Sequence, residues 1–229
     1  MPTLLVFGAR NLGRVLAREL AAEGWRVAGV ARSQETIDAL RAEVPGAIGI
    51  TADATDPAEV ERAFDEVGDV DLVVNAITHT PSGGSILELG PDALEPYSHG
   101  LLTGIFNVVR IGSRRLVERG GGTLVQMTGG SARRGMPKRG PWAAVAFATR
   151  ALTQSVAAEL RERNVHVALL IVDAVIESEK TAAWMQGQPA ERFASMEEVA
   201  RAIAYLHSQS PRAWTHELQL TPALETWVP

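Results

Sequence analysis

An α/β fold, a single doubly wound domain whose parallel sheet has about seven strands with helices on both faces, is predicted by three observations. The unbroken apolar run Leu4-Leu5-Val6-Phe7 reads as a strand buried on both faces, and a glycine turn follows it. Beyond the turn, Leu12, Val15, Leu16 and Leu20 fall on one helical stripe. The strand-then-helix order then repeats along a chain of 229 residues, 46% hydrophobic, which is enough for one core of ordinary size. Neither an internal repeat nor a second domain is apparent.

The elements follow in order. The first turn reads Gly8-Ala9-Arg10-Asn11-Leu12-Gly13, a G-x-G-x-x-G pattern with Arg10 in place of the middle glycine. Such a turn sets unpaired helix N–H groups against an anion such as a pyrophosphate. Taken alone, the hexapeptide fits a plain βα turn equally well. A second strand over 25–31 ends at Arg32. An acid here would hold a ribose 2′-OH, whereas an arginine suits a 2′-phosphate, so Arg32 points to NADP rather than NAD. A solvated arginine at a strand end is the alternative. Ser33 opens a helix to about Val44, and a third strand over 47–52 leads to Asp53-Ala54-Thr55-Asp56. Asp56 suits an N-cap, Pro57 the first helical position, and Glu59 completes a capping-box pattern. Asp53 and Ala54 sit at the carboxyl end of that strand, where ligands bind in such sheets. A fourth strand over 70–74 runs into Asn75-Ala76-Ile77. After a glycine- and serine-rich loop over 79–90, a long helix is expected over 91–119. A fifth strand over 123–127, a helix over 143–163, a sixth strand over 165–172, a helix over 196–206 capped by Ser195, and a last strand over 216–220 complete the chain.

Composition narrows the classes. A net charge of −5 without a long run of either sign argues against a nucleic-acid partner. The absence of cysteine excludes disulfides and thiolate metal sites. The N-terminus enters a strand directly and no apolar span approaches bilayer length, so a cytoplasmic protein with no membrane partner is expected. Lys138 and Lys180 are the only lysines, which limits the choices for a catalytic amine.

Gly8 to Gly13, Asp53-Ala54, Val74-Asn75-Ala76-Ile77, Thr103-Gly104-Ile105-Phe106-Asn107 and the helix through Arg150 to Leu160 together resemble the short-chain dehydrogenase/reductase family. The likeness covers nearly the whole chain and implies a Rossmann-like fold, a nicotinamide cofactor and a carbonyl or alcohol substrate. It also implies cofactor contacts at Gly8, Arg10, Asn11, Leu12, Gly13, Arg32, Asp53, Ala54, Asn75 and Ala76. The family's chemistry uses an asparagine, a serine, a tyrosine and a lysine. The tyrosine transfers the proton, and the lysine beside it lowers its pKa. Counting back from Glu159 places Ala146 at the lysine and Trp142 at the tyrosine position. Val125 to Thr128 places Gly129 at the serine, and Thr103-Gly104 places Leu101 at the asparagine. All four are lost, and an indole N–H neither gives nor takes a proton near neutral pH. The family's Pro-Gly after strand six is Val172-Asp173 here.

Leu101, Gly129 and Trp142 are therefore expected to line a substrate pocket. Ser131 and Lys138 are the substitute catalytic candidates, with Arg133 and Arg134 near the pocket mouth and His79 and His99 as the nearest bases. Three readings stay open: an NADP-dependent oxidoreductase with unusual catalytic groups, a non-redox enzyme (cyclase, isomerase or dehydratase) on the same scaffold, or an inactive subunit supporting a homologous partner. Apolar helix faces predict a homodimer or homotetramer. The resemblance does not indicate which small molecule is the substrate.

Overall fold

A parallel sheet is covered on both faces by its crossover helices, so its strands must be apolar along their length. The structure, a computed structural model, describes residues 1–79 and 83–225 and meets that requirement. Its strands are β1 Thr3–Phe7, β2 Arg26–Ala31, β3 Ile48–Thr51, β4 Leu72–Asn75, β5 Gly122–Gly129, β6 Val165–Val172 and β7 Glu217–Leu220. They form one seven-stranded sheet in the order β3-β2-β1-β4-β5-β6-β7, with every pairing parallel. The order reverses between β1 and β4, which opens a crevice at their carboxyl ends.

The helices are α1 Leu12–Ala22, α2 Gln34–Glu43, α3 Pro57–Val67, α4 Glu95–Tyr97, α5 Thr103–Arg119, α6 Gly140–Leu160, α7 Ala182–Met185 and α8 Met196–Ser208. Alternation along each strand divides the core in two. Leu5, Phe7 and Val73 pack with α3, α5 and α6, while Leu4, Val6 and Val74 pack with α1, α2 and α8. Each fully buried aliphatic or aromatic side chain contributes about 1.5–3 kcal/mol, so β1 anchors both layers at once.

Local signals set the element ends. Ser33, Asp56 and Ser195 each accept a backbone N–H as N-caps of α2, α3 and α8. The expected capping box at Glu59 is not formed. Glu59 Oε2 accepts from Asp53 N at 2.6 Å, while Asp56 N is already bonded to Asp53 O at 3.0 Å. The helix expected over 91–119 starts instead at Glu95, because i→i+3 bonds from Ala93 to Gly90 and from Glu95 to Asp92 hold 90–95 in turns. A π-helical turn, Ser98–Leu102, then separates α4 from α5. The helix expected over 143–163 begins earlier, at Gly140, and closes with a 3₁₀ turn, Arg161–Arg163. Within the loop read over 79–90, positions 80–82 lie outside the described residues. Among the described residues no helix is long and apolar enough to cross a membrane.

Candidate cofactor and substrate cavity

A cavity of about 670 Å³ runs along the carboxyl ends of the strands at the point where the order reverses. Its outer half is built by the first turn. Gly8 has φ of +93° and its missing Cβ would stand 2.7 Å from Ala76 O; a Cβ on Gly13 would stand 2.3 Å from Gly8 O. Only glycines let the turn close this tightly. Helix α1 then starts without a side-chain cap or an acidic residue in its first turn, and the Asn11 and Leu12 amides have no described partner. Arg10 and Arg32 both line this half, are exposed, and form no described ion pair. The donor set suits a diphosphate plus a further phosphate on the ribose.

Asp53 and Ala54 form the opposite wall. Asp53 Oδ1 accepts from the Thr55 amide and hydroxyl, each at 2.9 Å. Buried Asn107 on α5 donates to Ala54 O at 3.0 Å and Thr55 O at 3.1 Å, fixing this loop from below. Sequence reasoning assigned Asn107 no role, although an amide among the apolar positions of α5 was its visible signal. Ala76 reaches the wall, whereas Asn75 lies beneath it. The Asn75 side chain donates to Gln126 Oε1 at 2.9 Å and accepts from Ile77 N at 3.3 Å, clamping β4 to β5.

All four positions aligned with the family's catalytic groups meet in the inner half. Leu101 comes from the π-helical turn, Gly129 ends β5, and Trp142 and Ala146 stand one turn apart on α6. Tyr97, fully buried, meets the Trp142 ring edge-on with centroids 5.8 Å apart, and His79 meets Tyr97 at 5.3 Å. His79 lines the cavity and is the only titratable residue among the described lining of this half. His99 is exposed and outside the lining.

Neither substitute catalytic candidate is among the described lining residues of the cavity. Ser131 is buried in the 3₁₀ turn Gly130–Ala132, behind the wall. Lys138 is exposed at φ +65°, and its carbonyl accepts the Gly84 amide at 2.9 Å. Arg133 and Arg134 are spent in ion pairs. Arg134 forms a two-pronged pair with buried Asp173, at 2.5 and 3.1 Å. Asp173 Oδ1 lies only 1.8 Å from where a Cβ on Gly130 would stand, so the carboxylate occupies a side chain's volume there. Arg133 and Arg150 share Glu217 of β7. Burial alone would raise the Glu217 carboxyl, but Arg150 and then Arg133 outweigh it and hold the group below the usual carboxylate range. Among the described residues no cluster of three or more His, Asp or Glu could hold a metal ion.

An all-parallel sheet of this order, with a glycine turn at its first strand–helix junction and a cavity across its switch point, defines the nucleotide-binding doubly wound class. The family described as enoyl-(acyl carrier protein) reductase matches residues 7–217. The chain belongs to the short-chain dehydrogenase/reductase family. L-Xylulose reductase from Bos taurus is 30% identical over 89% of this chain and 88% of its own. NADPH-dependent pterin aldehyde reductase from Arabidopsis thaliana is 31% identical over 73% of this chain and 72% of its own. Gluconate 5-dehydrogenase from Burkholderia cenocepacia, solved in complex with NADP and tartrate, superposes with a TM-score of 0.84 at 25% identity, covering 99% of this chain and 96% of that one.

Proposed function

We propose that this protein is an NADP(H)-binding oxidoreductase of the short-chain family whose proton transfer does not use the family's four catalytic groups. One observation carries the reading: two cations without described partners, Arg10 and Arg32, flank the unpartnered amides of Asn11 and Leu12. NADPH, when bound, supplies a hydride. The amides at the α1 N-terminus hold its diphosphate, Arg32 and Arg10 its 2′-phosphate, and Asp53 borders its adenine end. At the other end Ala146 offers no ammonium to the ribose, and the Trp142 indole cannot exchange a proton near neutral pH. His79 is then the lining residue able to hold or give a proton. The bovine and Arabidopsis relatives are both reductases, which supports the redox class.

Calorimetric titration with NADPH and NADH tests this reading. NADPH is expected to bind more tightly, and equal affinities overturn the preference. The apolar inner wall favours a second reading, a non-redox enzyme such as a cyclase, isomerase or dehydratase, for which NADPH binds but is never consumed. The exposed Phe106 on α5 and Phe147 on α6, 46% and 42% accessible, support assembly as a homodimer or homotetramer, or with a homologous subunit.

A further inference from the structure

Around Leu101, Gly129, Trp142 and Ala146 the wall of the inner half is largely apolar, with Thr78, His79, Thr128 and Ser178 as polar side chains of the described lining. Leu101, Val145, Ala146 and Met127 line it, and Thr149, which also lines it, turns its hydroxyl back to Val145 O at 2.9 Å. Trp142 is the one large flat surface, held edge-on by buried Tyr97. Its indole N–H has no hydrogen-bond partner among the described residues, and it is not among the fully buried unsatisfied atoms, so it remains open to a ligand. A largely apolar wall with few polar side chains favours a flat ring over a polyol. A polyol entering it would strip more hydroxyls of water than these few side chains can pair, which is unfavourable. A planar ring would stack on the indole and bury its own apolar area, and one oxygen on it would accept the N–H. Met127 adds an unbranched, adaptable wall that fits rings of differing outline.

We propose that the inner half of the cavity binds an uncharged planar ring compound carrying an oxygen acceptor, with Trp142 as its stacking and hydrogen-bonding residue, and that it rejects polyols. This rests on the nucleotide reading only in assigning the outer half to NADP(H). The test uses 2-acetylnaphthalene and xylitol as probes, titrated by calorimetry into the native chain with and without NADPH. The naphthalene probe is expected to bind and xylitol to give no heat at millimolar concentration. Trp142→Ala should weaken the ring probe by about tenfold or more. Trp142→Phe, which keeps the fold and a flat face but loses the donor, should weaken it by a smaller factor. Unchanged ring binding in both variants, or xylitol binding as tightly as the ring, overturns the proposal. Ring binding retained while NADPH fails to bind would sink the nucleotide reading and leave this one standing; the reverse pattern would sink this one alone.

Discussion

Arg32 follows the last residue of β2, exposed and with no ion pair among the described residues, which leaves it available to an anion from outside the chain. A charge-assisted contact from one arginine to a phosphate is worth enough that Arg32→Ala should weaken NADPH about tenfold or more and leave NADH nearly unchanged. Equal losses for both cofactors in calorimetry would show that Arg32 shapes the site and does not read the 2′-phosphate. Gly130 carries a different kind of constraint. Any side chain there meets the Asp173 carboxylate at 1.8 Å, so Gly130→Ala must displace a buried ion pair and should cost about 3 kcal/mol or more in urea unfolding. Asp173→Gly, which removes the carboxylate, frees the space. The double variant should therefore be no less stable than Asp173→Gly alone, a large departure from additivity. Additive losses would mean that the two residues do not compete for one volume. This coupling was not visible in the sequence, because Gly130 and Asp173 are 43 positions apart in the chain and meet only across the β5–β6 pair.

At the scale of elements, the inner site is assembled by three pieces: the π-helical turn at Leu101, the end of β5 at Gly129, and the first turns of α6 at Trp142 and Ala146. The scaffold thus brings Leu101, Gly129, Trp142 and Ala146 to one wall. A tyrosine at Trp142 alone would keep a pKa near 10, since no cation lies at Ala146 to lower it. Trp142→Tyr is accordingly expected to leave NADPH-dependent turnover of a panel of ketones, aldehydes and quinones at the level of the native protein. NADPH-dependent turnover by the native chain, followed at the nicotinamide absorbance, would show that another group transfers the proton, and His79→Gln would then be the variant to assay. Much of this element layout was legible beforehand because periodicity and caps are local. Ser33, Asp56 and Ser195 marked helix starts that the structure keeps, and β6 falls on the expected 165–172. What failed was also local in appearance but decided elsewhere. Glu59 was free to complete a capping box, yet the Asp53 amide took its carboxylate. Ser131 and Lys138 follow β5 closely in sequence, yet a tight 3₁₀ turn directs the chain behind the wall.

For the whole molecule, the end of the sheet opposite the cavity carries two imidazoles, His166 buried and His207 half-buried, whose protonation bears on global stability. His166, at the start of β6, stacks on Trp214 with centroids 5.0 Å apart and planes within 2°, and its Nε2 lies 2.9 Å from Thr215 O. His207, in the last turn of α8, meets Trp25 edge-on at 5.0 Å and places Nδ1 3.0 Å from Thr123 Oγ1. Together these contacts tie β6, α8, the entry to β2 and the segment before β7. The groups facing them include His216 beside His166, and Asp71 and Arg119 near His207. Burial dominates in both cases and pushes the two imidazoles below the ordinary histidine value, despite the opposing pull of Thr215 on His166 and of Asp71 on His207. The native state therefore binds fewer protons than the unfolded chain once pH falls below about 6.5, where free histidine charges. Stability is fully present above that value and is lost progressively as pH falls through it toward the depressed folded values. Glu217, held low by its arginines, keeps its contribution over this range and loses it only in stronger acid, below about 4.3. Two stages of acid destabilisation should follow. The urea midpoint is expected to fall between pH 7.5 and 5.5 in the native chain, and the His166→Gln, His207→Gln double variant should flatten that first stage while leaving the second. A native urea midpoint unchanged across that interval would show that these rings stay accessible to protons in the folded protein.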